Sequence, residues 1–185
     1  MGAEYGSWNA VLGTFNVNGP AVKDKLYFGI SGKYAQDDGW ITSHAPGMDE
    51  DANSKNEARF GGNLLYEPND RLQARLTVLY DYQKKNGVSG QLVPNGEDID
   101  DYTRDDDEDA NFDMDTYTKT WSNAQALSIK HSFDRVVLDS VTTNKKIELD
   151  GDYDFDWGNN PLYDGLYQFQ HSTIETRTQE LRLSS

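Results

Sequence analysis

The sequence predicts an all-β chain, an antiparallel up-and-down sheet of about seven strands. Three observations predict it. Side chains alternate with a period of two, no window of comparable length keeps a 3.6-residue period, and short and long connections follow one another in strict alternation. The clearest strand is "RLQARLTVLYDY" (71–82). There Leu72, Ala74, Leu76, Val78, Tyr80 and Tyr82 share one face, opposite Gln73, Arg75, Thr77 and Asp81, with Leu79 the one exception.

Taken in order, the other elements read as follows. Over 8–18, Val11, Phe15 and Val17 fall on one side but Trp8 and Leu12 on the other, so the phase is mixed. Over 25–36, Leu26, Phe28, Ile30 and Tyr34 oppose Gly29, Ser31 and Lys33. Over 57–67, Ala58, Phe60, Leu64 and Tyr66 oppose Glu57, Arg59, Asn63 and Glu67. Over 123–133, Leu127, Ile129 and Phe133 oppose Ser128, Lys130 and Ser132. The stretch 136–146 is ambiguous in phase, and 173–185 alternates only at "ELRLS".

Composition sets the outer bounds. The 185 residues suit one domain. Only 36% are hydrophobic, yet there are 11 Tyr, 7 Phe and 4 Trp, which an acidic disordered chain would lack. The net charge of −15 argues against nucleic acid as a partner, since that surface must be basic. With no cysteine, neither disulfides nor thiolate metal sites can form. No run of ~18 apolar residues offers a transmembrane helix, and no secretory leader precedes Tyr5. A membrane-embedded chain must then be a piece of something longer.

The connections carry most of the charge. The short ones, 17–25, 66–71 and 133–135, hold turn residues such as Asn-Gly-Pro and Pro-Asn-Asp. The long ones, about 37–56, 83–122 and 150–172, hold the acidic clusters "DDDEDANFDMD" (105–115) and "DGDYDFDWGNNP" (150–161). Strict alternation puts every short turn at one end of the sheet and every long loop at the other, the asymmetry of bacterial outer-membrane barrels. Tyr34, Tyr80 and Tyr82 near the long loops and Tyr66 and Phe133 near the short turns fit aromatic girdles, although tyrosine also favours strands in general. Mid-strand Lys33, Arg59, Arg75, Asp81 and Lys130 would be a solvent face in a sandwich and a hydrated lumen in a barrel. Alternation does not separate the two.

A resemblance does. The stretches "YGSWNAVLGTFNVNGPAVKDKLYFGISGKYAQDDGW" (5–40), "LLYEPNDRLQARLTVLYDY" (64–82), "ALSIKHSFDRVVLDSVT" (126–142) and "TQELRLSS" (178–185) resemble, in order and spacing, the first part of the barrel of a TonB-dependent outer-membrane receptor. The matching features are a Tyr-Gly-Ser segment opening a strand, a Gly-Pro turn (18–20), an Asp-Gly-aromatic loop, a Pro-x-Asp turn (68–70) and a closing Gln-Glu-Leu-Arg-Leu-Ser-Ser. The long loops 41–56, 83–122 and 150–172 are not matched. The resemblance implies that residues 1–185 are part of a 22-stranded transmembrane β-barrel whose plug domain and other strands lie outside this chain. It also implies energy-coupled uptake of a scarce nutrient, most often a ferric siderophore, in the outer membrane of a Gram-negative bacterium. Implied partners are outer-membrane lipid, that small ligand, and the TonB complex acting through N-terminal regions not present here.

No enzymatic chemistry is indicated, and neither a cofactor nor a site residue can be singled out. His44, His131 and His171 lie far apart, with His131 read as a structural strand residue. The tract beginning at Asp105 fails the calcium-loop pattern, because position six is Ala110 and position twelve is Thr116 rather than Gly and Glu. "DGDYDFDW" lacks the closing Glu. Aromatics in or beside the long loops (Trp40, Tyr102, Tyr117, Trp121, Trp157 and Tyr163) are expected at the mouth, where they would suit a bulky, partly planar ligand. The alternatives are a soluble or secreted acidic β-protein binding calcium or carbohydrate through its loops, and a plain porin-like barrel.

Overall fold

In the computed structural model, which describes residues 1–43, 51–87, 109–110, 114–154 and 166–185, the chain forms ten strands and no helix among those residues. They are β1 (Gly2–Tyr5), β2 (Val11–Val22), β3 (Leu26–Asp37), β4 (Thr42–Ser43), β5 (Lys55–Asn69), β6 (Leu72–Asn86), β7 (Asp109–Ala110), β8 (Tyr117–Ser132), β9 (Val137–Asp154) and β10 (Tyr167–Ser184). Eight of them make one sheet in chain order, β1-β2-β3-β5-β6-β8-β9-β10, with every neighbouring pair antiparallel. The seven expected strands are all present, and the four-residue β1 is an addition. The dipeptides β4 and β7 pair in parallel as a separate small sheet.

The mixed phase of 8–18 has a simple origin for Trp8, while Leu12 stands within the strand on the face opposite Val11. Trp8 and Asn9 both sit at φ 53° in a tight link closed by Gly6 N–H donating to the Ala10 carbonyl. The strand begins only at Val11, so Trp8 never belonged to its alternation. The expected Asn-Gly-Pro turn is also displaced. Residues 18–20 lie inside β2, the ladder shifts by one residue between Pro20 and Val22, and the turn itself is Lys23–Lys25 with Asp24 at φ 58°. Proline is tolerated there because β1 covers β2 only from Val11 to Thr14, leaving Pro20 on a free edge beside a bulge.

The other short turns stand where they were expected. Asn69 Oδ1 accepts from the Arg71 and Leu72 amides at 2.9 and 3.0 Å, so the side chain mimics a backbone turn. Phe133 N–H donates to the Val136 carbonyl at 2.7 Å. At the other end the strands run further than the pattern indicated. The long connections shrink to 38–54, 87–116 and 155–166 because β3, β5, β6, β8, β9 and β10 all continue through polar residues. Their backbone groups are satisfied by the neighbouring ladder, which needs no apolar alternation.

Directly paired residues share a face, so the register sorts the whole sheet. Leu72, Leu76, Val78, Phe28, Ile30, Phe60, Leu64 and Leu127 stand on one side, and Lys33, Arg59, Arg75, Gln73, Asp81 and Lys130 on the other, as the alternation predicted. Neither side covers a core. Among the described residues only Ile41 and Ala52 are buried hydrophobics, and no large side chain is fully buried. Phe60, Leu64, Leu76 and Leu127 are each more than 40% exposed. The apolar face is nevertheless shaped. The Phe15 ring lies over Gly32, where an added Cβ would meet it at 2.1 Å, so the missing side chain lets an aromatic ring close the surface.

Candidate functional site

The long-connection end is where structure and charge converge. The bases of the connections are stitched together rather than loose. Asn53 Oδ1 accepts from both the Trp40 and Ile41 amides at 2.8 Å, and Ala52 N–H donates to the Ile41 carbonyl at 3.1 Å. Trp40 packs against the small cluster of Ile41 and Ala52. Gly87 N–H donates to the Thr116 carbonyl at 2.6 Å, and Asp154 N–H to Thr116 Oγ1 at 3.1 Å, which ties the second connection to the third. The β4–β7 pairing ties the first to the second. Gly87 is required here twice over. Its φ is +74°, and a Cβ would stand 1.8 Å from the Ala52 carbonyl oxygen.

On the polar face below this end, Glu57 is a charge hub. Its carboxylate accepts from Lys33 Nζ at 2.8 Å, Lys55 Nζ at 2.6 Å and Gln83 Nε2 at 2.7 Å. The Lys33 ammonium, then that of Lys55, holds the carboxyl down at about pKa 2 against the opposing effect of burial. Arg59 is paired with Asp81 one rung further down. The hub was not singled out from sequence. Part of the signal was present, since Lys33 and Glu57 are polar-face residues of successive predicted strands, whereas Gln83 falls at the start of an expected long loop.

The expected mouth aromatics divide. Trp40 lies at the loop bases. Tyr117 and Trp121 belong to β8, not to a loop, and both stand on the same face as Leu127, opposite Lys130. Trp121 packs on Tyr82 with ring centroids 5.7 Å apart. Tyr117 lies under Lys119 Nζ at 4.2 Å and donates to Asp150 Oδ2 at 3.5 Å. Burial first, then the carboxylates of Asp152 and Asp150, pushes its hydroxyl up to about pKa 12, so it stays a donor. Tyr102, Trp157 and Tyr163 lie outside the described residues.

The acidic stretch read as a loop from 150 starts inside β9, where Asp150, Asp152 and Asp154 alternate onto one face. Most of the 105–115 tract and His44 lie outside the described residues. His131 and His171 are at opposite ends of the sheet: His131 edge-on to Phe133 at 4.4 Å by the short turns, His171 Nδ1 3.5 Å from Asp150 near the long loops. Among the described residues no three metal-ligating side chains come together. Among the described residues the arrangement offers charge, hydrogen bonds and aromatic surface for binding.

No family model matches the sequence, and no curated protein matches it. Solved structures do match the fold. The ferric yersiniabactin uptake receptor FyuA from Yersinia pestis superposes with a TM-score of 0.71 at 17% identity, covering 96% of this chain and 26% of that one. The ferric-catecholate import receptor Fiu from E. coli K12 superposes with a TM-score of 0.56 in both forms. Its closed form is 13% identical over 97% of this chain and 26% of that one, and its open form 12% over 98% and 29%. The chain thus spans about a quarter of the length of these receptors. At such identities the likeness speaks for the fold: an all-β, up-and-down antiparallel sheet that is part of a transmembrane β-barrel.

Proposed function

We propose that this chain is a section of the barrel wall of a TonB-dependent outer-membrane receptor. That receptor takes up a scarce nutrient, with a ferric siderophore as the favoured ligand class. The observation that carries the reading is the fold likeness over 96% of the chain to a receptor for ferric yersiniabactin, joined by the two forms of a ferric-catecholate importer. The sequence resemblance over 5–40, 64–82, 126–142 and 178–185 points the same way. On this reading residues 1–185 are partial barrel, with the plug and the other strands supplied elsewhere in the receptor.

The mechanism is binding followed by energy-coupled passage, without covalent chemistry. The apolar face meets outer-membrane lipid and the polar face, with the Glu57 hub and the Arg59–Asp81 pair, meets the barrel interior. The long connections face the outside of the cell and receive the ligand, while the TonB complex acts through segments beyond this chain. Their acidity repels anions at low ionic strength and is screened by salt, which favours a neutral or cationic ligand over a highly anionic one.

Protease applied to intact cells carrying the receptor is expected to cut within 83–122 and to spare 66–71. Cleavage in 83–122 only after the outer membrane has been permeabilised would reverse the orientation and remove the ligand-entry role from this end.

A further inference from the structure

The outward face is not apolar along whole rungs of the ladder. One continuous rung runs Ile30, Gly62, Val78, Gln125, Asn144, Arg177. The next rung toward the long connections runs Gly32, Phe60, Tyr80, Asn123, Lys146, Glu175. Each begins apolar in β3–β6 and ends polar or charged in β8–β10, on the same side of the sheet. If depth in a membrane followed the rungs, Lys146, Glu175 and Arg177 would lie as deep as Phe60 and Ile30, and a basic side chain at mid-depth costs about 2–4 kcal/mol.

The upper edge of the apolar surface is instead lower on the β8–β10 side of the sheet than on the β1–β3 side, with β6 standing above the trend and β9 turning apolar only at Leu138. Tyr5 marks it in β1, Val11 in β2, Tyr34 in β3, Phe60 in β5, Leu127 in β8 and Leu181 in β10. In β6 it reaches Tyr82, whose ring leans on Trp121 above the line. The size of the fall can be read from one rung. Tyr5 pairs through Val11, Gln36, Asn56, Lys84, Lys119 and Asp150 to His171, which is ten residues along β10 from Leu181. Ten residues at ~3.3 Å, over seven interstrand steps of ~4.8 Å, is a slope of about 45°. Strands of membrane barrels tilt by about 35–45° from the normal. A flat hydrocarbon boundary meeting tilted strands must cross the rungs at that angle.

We infer that the lipid boundary crosses the outward face diagonally, from Tyr5 to Leu181. Bilayer hydrocarbon covers the face of β2–β6 up to Tyr34 and Tyr80, but only the short-turn ends of β8, β9 and β10. The upper halves of those three strands stand clear of the membrane, with Lys119, Asn123, Lys146, Glu148, Glu175 and Arg177 on their outward face. The ladder there is made for water: Lys146 Nζ meets Glu148 at 2.6 Å, and Arg177 Nε donates to Asn144 Oδ1 at 3.2 Å. Arg177, four residues beyond Leu181, lies roughly 9 Å above the boundary, and Ile30, four residues inside Tyr34, roughly 9 Å below it. This inference rests on the transmembrane barrel reading and adds to it which surface lipid touches.

These 185 residues contain no cysteine, so in a receptor whose thiols elsewhere are replaced by serine a single introduced thiol reports cleanly. Ile30→Cys and Arg177→Cys, two positions on one rung, are introduced separately into the complete receptor in outer-membrane vesicles and treated with a charged, membrane-impermeant maleimide. Arg177→Cys is expected to react fully while Ile30→Cys stays unmodified, and both should react after denaturation. Protection of Arg177→Cys equal to that of Ile30→Cys would overturn the diagonal boundary while leaving the barrel intact. Full reaction of Ile30→Cys would overturn the lipid contact itself and the barrel reading beneath it.

Discussion

Leu76 is the most informative single position on the lipid face. It lies on β6 four residues from Leu72 and four from Tyr80, at the middle of that strand's apolar stretch. It is paired with Leu64 on one side and Leu127 on the other. With strands tilted by about 45°, the side chain sits roughly 9 Å from either edge of the stretch, so an arginine has little room to reach headgroups. Leu76→Arg should therefore cost the midplane value of about 2–4 kcal/mol, a thirtyfold or larger change in the folding equilibrium. Gln179 provides the internal control, because it shares a rung with Leu76 through Leu127 and Thr142 but lies beyond Leu181 near the diagonal edge. Gln179→Arg should cost about 0–1 kcal/mol. Gln73→Arg, on the polar face, should be tolerated as well. The assay is reversible urea unfolding of the complete barrel in lipid vesicles. Equal losses for Leu76→Arg and Gln73→Arg would refute the assignment of faces.

Three further outcomes follow from particular residues. Glu57 is held at about pKa 2, below its ordinary 4.5, so its charge–charge contribution is complete above pH 4.5 and is lost as pH falls toward 2. After screening by nearby water it amounts to about 1–2 kcal/mol. Glu57→Gln should remove that stability at neutral pH and flatten the acid limb of a stability–pH curve, and an unchanged limb would count against the hub. Gly87→Ala should cost at least about 1–2 kcal/mol from the positive φ alone, with the clash against the Ala52 carbonyl added, seen as lower stability and faster proteolysis at the loop bases. The isolated 185-residue chain exposes all of β10 as an open edge together with a broad apolar face, so it should aggregate or need detergent. A sharp, cooperative melt from a detergent-free monomer would instead support a soluble protein.

Much of this molecule was legible in its sequence because a strand writes its two faces as a period of two. In 25–36, 57–67 and 71–82 most large apolar side chains share one face, with Tyr27, Leu65 and Leu79 as exceptions, and the register bears out the faces read from the alternation. Turn chemistry was legible where a side chain makes the turn, as Asn69 does, and misleading where Pro20 merely accompanies a bulge on a free edge. The stretches 136–146 and 173–185 looked ambiguous for a physical reason. On the face of Leu76 they carry only Leu138 in one and Leu181 and Leu183 in the other, while Val137, Val141 and Ile174 stand on the opposite face, so no single phase runs through either stretch. Tyr117 and Trp121 were read as loop residues because apolar alternation had stopped, although ladder hydrogen bonds carry β8 straight through them. Sequence by itself thus determined which residues are strands and which way most of them face, since that is local. The Glu57 hub, the stitching through Asn53 and Gly87, and the slope of the apolar edge were decided only by the tertiary structure. Each depends on the register between strands far apart in the chain, and register is set by the pairing itself.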